Sequence, residues 1–81
     1  MTASAIAARL INALEATADR EAGAKTQLVS VEITWLAAAD AGAIVVQLTR
    51  KTRTLVFLSA EFATDTGARI ASAASVHKVL E

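Results

Sequence analysis

The sequence predicts an α+β fold, a single helix packed on a four-stranded antiparallel sheet, and three observations predict it. Apolar residues recur at helical spacing through the first quarter of the chain, the period changes to two after Lys25, and turn chemistry divides the remainder into strand-length pieces. One helix facing one antiparallel sheet is a two-layer arrangement that buries the apolar side of each element against the other.

The helix is expected over about residues 3–22. Ile6, Leu10, Ala13, Leu14 and Thr17 fall on one face, while Arg9, Asn12, Ala16 and Asp19 fall on the other. Thr2 or Ser4 is a suitable N-cap, and Gly23 stands where a left-handed residue closes a helix. A first strand over about 27–36 alternates Val29, Val31, Ile33 and Trp35 with Ser30, Glu32 and Thr34. After a connection around Asp40 and Gly42, a second strand spans 43–50, with Ile44, Val46 and Leu48 sharing a face. A hairpin at Lys51-Thr52 leads to a third strand over 54–62. The run Ala63-Thr64-Asp65-Thr66-Gly67 then turns the chain into a fourth over 69–80. The order expected is the helix, then four strands in a meander. On the last strand, Ala71, Ala73 and Ser75 offer a small-residue face for the helix, with Ile70, Ala74 and Val76 directed away from it. The chain has no Pro, so every strand residue keeps its ladder donor.

Composition bounds the function. At 81 residues the chain reads as one domain, residues 1–81. A domain of this size hides only about 60% of its unfolded surface by itself, so a homo-oligomer is expected. Lys and Arg number 8 and Asp and Glu number 8, for a formal net charge of +0, which excludes a nucleic-acid binder working through a broad positive field. There is no Cys, and His77 is the single His, so no Cys or His metal cluster and no second Ser/His/Asp set is available. No metal or cofactor is expected. Arg9, Glu15 and Asp19 interrupt the most helical segment, leaving no membrane span, and the start lacks the pattern of a signal peptide. The cytoplasm is the default compartment.

Three stretches carry a family resemblance: "LVSVEITWLAAADAG" after the helix, "VVQLTRKTRTLVFLSAEFATDTGARIASA" for the following strands, and the closing "ASVHKVL". Together they resemble the hotdog-fold acyl-CoA thioesterases of the phenylacetate-pathway type, over nearly the whole chain from about Ala3 to Leu80. The resemblance implies a helix wrapped by the sheet, two protomers joined through the post-helix strand (here Gln27 to Leu36), and acyl-CoA at the dimer interface. The sequence departs from that family at its most chemical positions. Met1 stands almost at the helix start, where members carry a preceding strand. Alignment on Leu10 puts Ala3-Ser4-Ala5 in place of the His-Gly-Gly turn, Asn12 in place of the helical acid, and Ala37 and Ala38 in place of a basic-Pro pair.

The candidate catalytic residues are therefore Asn12 and Glu15. Asn12 orients water but accepts no proton at neutral pH, and Glu15, one turn on, is the available carboxylate base. Either equally suits the polar face of a surface helix. Arg50, Lys51 and Arg53 cluster at a hairpin, where they suit the phosphates of a CoA-like ligand or keep an edge soluble. Trp35 and Phe57 read as core, with lining an acyl pocket as the alternative for both, and His77 reads as a structural or surface residue. Two functions are consistent with these residues. One is a divergent acyl-CoA thioesterase with weak or no hydrolysis. The other is a non-catalytic hotdog module for assembly or ligand binding, or one half of a split thioesterase.

Overall fold

A computed structural model describes residues 2–38 and 41–80. It contains α1 (Ala3–Ala22), β1 (Thr26–Trp35), β2 (Ala43–Lys51), β3 (Leu55–Ala63) and β4 (Arg69–Val79), each bound within a residue of its expected position. The fold is α+β and hotdog-like, with one helix lying on a four-stranded antiparallel sheet. Among the described residues no helix is long and apolar enough to cross a membrane.

Both helix ends are closed by the residues that the sequence offers. Thr2 is the N-cap, its Oγ1 accepting from Ala5 N at 3.2 Å, and Gly23 adopts φ 65°, with its N–H donating to Asp19 O at 3.0 Å. The second left-handed glycine, Gly67 at φ 91°, closes the turn between β3 and β4. There Thr64 accepts from Gly67 N at its carbonyl and from Ala68 N at its hydroxyl.

The strand order is β1-β4-β3-β2, which corrects the simple meander. β2, β3 and β4 do follow one another, but β1 pairs with β4, so the connection after Trp35 crosses the sheet instead of turning a hairpin. The reason is visible in composition. β4 supplies a row of small side chains beside Val31 and Ile33, and the helix needs the centre of the sheet, where β3 and β4 lie, to be its closest support. Of this connection, Ala39 and Asp40 lie outside the described residues. Gly42 is tightly placed, since a Cβ there would sit 2.5 Å from Ala63 O and 2.8 Å from Phe62 Cε1.

The core is Ile6, Leu10, Leu14 and Ala18 of α1 against Val56, Leu58, Ala60 and Phe62 of β3 and Ile70, Ala71 and Ala73 of β4. Alanines at Ala60, Ala71 and Ala73 let the helix approach, and Phe62, Leu10 and Leu14 fill the space.

Three side chains differ from simple alternation. A bulge between Leu28 and Ser30 shifts the phase of β1, leaving Val29 59% exposed while Leu28 takes the helix-facing row opposite His77. A second bulge between Phe62 and Ala63 shifts the β3–β4 register, and Ile70, expected on the far side, is buried in the core. Its carbonyl accepts from Leu36 N at 2.8 Å and Ala37 N at 3.2 Å, which ties off the end of β1. Trp35, expected in the core, is 44% exposed, because the helix does not extend over that end of the edge strand.

Truncating the core should therefore cost far more than truncating the bulge. Leu10→Ala is expected to destabilise the chain by about 2–5 kcal/mol. Val29→Ala, at the exposed bulge, is expected to change stability by no more than about 0.5 kcal/mol. Urea unfolding at fixed protein concentration measures both, and equal losses would contradict this assignment of the core.

Candidate functional site

The β2–β3 hairpin positions the basic cluster. Thr52 closes it, with its N–H donating to Leu55 O at 2.8 Å and its hydroxyl accepting from Leu55 N at 3.1 Å, and Val79 N donates to Thr54 O at 2.8 Å. This backbone lock leaves Arg53 exposed at the tip. Arg50 is opposite Phe57 and Lys51 opposite Val56. Because successive strand residues point to opposite faces, the two basic side chains part company. Arg50 stands on the open face of the sheet, and Lys51 stands on the helix-facing side.

Lys51 is engaged there. Its Nζ donates to Glu21 O at 2.6 Å, satisfying one of the carbonyls that a helix C-terminus leaves without an intrahelical donor. Asp19 anchors the same end of the helix from another side, its Oδ1 accepting from Thr26 N at 2.8 Å and Thr26 Oγ1 at 2.7 Å. The side-chain hydrogen bond from Thr26, followed by the backbone one, holds the Asp19 carboxyl below its usual value.

The open face carries two shallow clefts that meet at Ser59. One is bounded by Ser30, Glu32, Thr49, Phe57 and Val76, and the other by Val45, Gln47, Glu61 and Ser72. Arg50 borders the first through its register with Phe57. At the second, Glu61 accepts from Arg69 at 3.3 Å across exposed surface. Hydroxyls, two carboxylates and a half-buried aromatic ring give this face both polar and apolar character.

The remaining candidates lie elsewhere. Asn12 and Glu15 are both exposed side chains of α1. Along the helix axis, Glu15 is about 9 Å and Asn12 about 13 Å from the Glu21 level that Lys51 contacts. Trp35 pairs with Ala71, at the end of the sheet opposite the hairpin, so about 17 Å of strand separates its level from that of Arg50. The six candidates thus form no single constellation within one chain. Arg50 and Arg53 remain together at the hairpin, and Lys51 has a structural partner.

Strand parity places His77 on the side of Ser75, and the structure adds their burial and direct contact. Ser75 and His77 are both buried on the helix-facing side of β4, Ser75 Oγ lying 2.8 Å from His77 Nε2. Their spacing of two on a strand was the available signal. Among the described residues no group of His, Cys, Asp or Glu is placed to hold a metal ion.

The comparisons with known proteins identify a fold. No protein-family model matches the sequence, and a search of curated proteins finds no relative. Among solved structures, the BH2602 protein from Bacillus halodurans, determined with CoA, superposes with a TM-score of 0.89 at 15% sequence identity. The match covers 100% of this chain and 56% of the BH2602 chain, so this sequence spans a little over half the length of that neighbour. At that identity the likeness is one of fold.

The Asp19 anchor makes a direct prediction. Thr26→Val removes the hydroxyl donor and keeps the backbone N–H, and it should move the Asp19 titration up toward the ordinary carboxylate value. Carboxyl carbon NMR across pH 2–6 reads this shift, and an unmoved Asp19 titration would show that the hydroxyl does not stabilise the carboxylate.

Proposed function

We propose that this chain is a hotdog-like protein of the thioesterase superfamily that binds an acyl-CoA or a similar apolar thioester between two copies of itself, with weak or no hydrolysis. The observation that supports the reading is the superposition of this whole chain on 56% of a protein solved with CoA. Arg50 and Arg53 add to it, since two exposed guanidiniums at one hairpin present forked donors of the geometry that phosphates accept.

The low hydrolytic capacity follows from the helix. Thioester hydrolysis needs a base close to the attacking water and donors for the oxyanion. Asn12 positions a water but takes no proton, and Glu15 faces outward from α1 with its side chain in solvent. Neither reaches the hairpin of its own chain, so a working site requires the second copy to bring a hairpin and a helix together. The dimer proposed for this purpose joins the β1 strands. β1 is an edge of the sheet, and Glu32 and Thr34 lie along it on the open face.

A second reading is a non-catalytic module for assembly or ligand binding. The scattering of the candidate residues favours it, as does the engagement of Lys51 by Glu21 O.

Isothermal titration with an acyl-CoA and its thiol-release assay distinguish these readings. For the first, Arg50→Ala with Arg53→Ala should weaken CoA-ester binding by about 2 kcal/mol or more, because hydrogen bonds to charged groups contribute about 1.5–3 kcal/mol each. Stability should change by no more than about 0.5 kcal/mol. The loss should shrink as salt rises. Absence of wild-type binding would leave the hairpin as a solvated turn and favour the assembly reading. For the dimer, Thr34→Pro should raise the dissociation constant in sedimentation more than Thr66→Pro does, and equal effects would exclude β1 pairing.

A further inference from the structure

We propose that the buried Ser75–His77 pair is an acid-sensitive latch that holds α1 on the sheet while the imidazole is neutral and releases it when the ring takes up a proton. This inference is independent of the thioester reading and concerns the stability of the docked helix.

The geometry carries it. His77 is 0% exposed and Ser75 3% exposed, both on the face of β4 that the helix covers. In the sheet, His77 is flanked by Leu28 of β1 and Val56 of β3, both apolar. Nε2 is satisfied by Ser75 Oγ at 2.8 Å, whereas Nδ1 has no hydrogen-bond partner among the described residues. A neutral ring tolerates this. With its hydrogen on Nε2 it donates to Ser75, and Nδ1 is left as a bare acceptor. The imidazolium has hydrogens on both nitrogens, so protonation would place an N–H and a positive charge where no acceptor stands. The folded chain can accept that proton only by moving the ring toward water, and the helix is what keeps water out.

The charges that face the ring are few. α1 contributes Glu15 and Asp19, both exposed, with Asp19 already committed to Thr26 and close to Lys25. Lys51 of β2 is on the same side, its ammonium held by Glu21 O. β1 and β3 present no charged side chain to this side of the sheet near His77, and Lys78 points to the opposite face. Burial pushes the His77 pKa below its ordinary 6.5, while the Glu15 and Asp19 carboxylates pull it back in part. The sign follows. With a depressed folded-state value, the unfolded chain binds the proton more tightly, so the fold is at full strength above about pH 6.5 and weakens as pH falls below it.

His77 is the sole His, so between pH 5 and 7 its titration is separated from those of the ordinary carboxylates below and the α-amino group above. Urea unfolding of the full chain, followed by helix circular dichroism at one protein concentration, is expected to show the unfolding constant rising as pH falls from 7 to 5. The double variant Ser75→Ala with His77→Leu, which replaces the pair by apolar groups, should remove most of that rise. In parallel, ring-nitrogen NMR of the folded wild type should find His77 titrating below its ordinary value. A flat wild-type profile, a double variant that keeps the wild-type slope, or a folded-state ring that titrates near 6.5 would each overturn the latch. Should the double variant not fold, the ring titration in the wild type decides alone.

Discussion

Everything in this structure depends on one apolar stripe, Ile6, Leu10, Leu14 and Ala18, finding a bed of small side chains to lie on. A sheet face built from large residues would hold the helix away and leave gaps between the layers. Ala60, Ala71 and Ala73 remove that obstacle along the middle of the sheet, and Phe62, Leu58 and Ile70 fill the margins. The alanine-rich composition is thus a packing solution. Each Ala buries little area, but it allows Leu and Phe to bury theirs completely.

The same solution dictates what is left uncovered. A single helix spans the centre of a four-stranded sheet and cannot shield its edges, so Leu48 of β2 and Trp35 of β1 stay 44% exposed on the side the helix occupies. Among the described residues no second layer covers the open face, and Val45 is 62% exposed there. Two edge strands and a partly apolar open face are the surfaces that the proposed sharing of a site between copies would cover. This is the physical ground for reading the hairpin, the edge strand and the outer helix as parts of a site shared between copies.

How far the sequence revealed this follows from which signals are local. The helix with both caps, the Gly67 turn and the four strands were legible because each rests on residues adjacent in the chain. The strand order was not. It depends on β4 competing successfully with β2 for β1, a comparison between segments more than thirty residues apart. The bulges at Val29 and Ile70 were hidden for a related reason, since one inserted residue reverses the faces of those around it without altering composition. Among the candidate residues, Arg50 and Arg53 were placed together by their proximity in sequence. The separation of Lys51 from them required strand parity, and its partner Glu21 O is a backbone atom that no side-chain pattern advertises.

The two ends of α1 are held unequally, and this orders the possible motions of the chain. The N-terminal end has its Thr2 cap and the Arg9 guanidinium lying 5.3 Å from the centre of the Phe62 ring, both at or near the surface. The C-terminal end has the Gly23 closure, the Asp19–Thr26 pair and Lys51 on Glu21 O, which together join the helix to both edge strands. His77 is buried on the sheet beneath that better-fastened end, close enough to feel the charges of Glu15 and Asp19. A charge appearing on the imidazole therefore acts where the helix has most to lose. Loosening there would release the Lys51 contact with the helix, while the β2–β3 hairpin keeps its hydrogen bond from Val79 N to Thr54 O. The basic cluster and the buried histidine, far apart in sequence, are in this way mechanically adjacent.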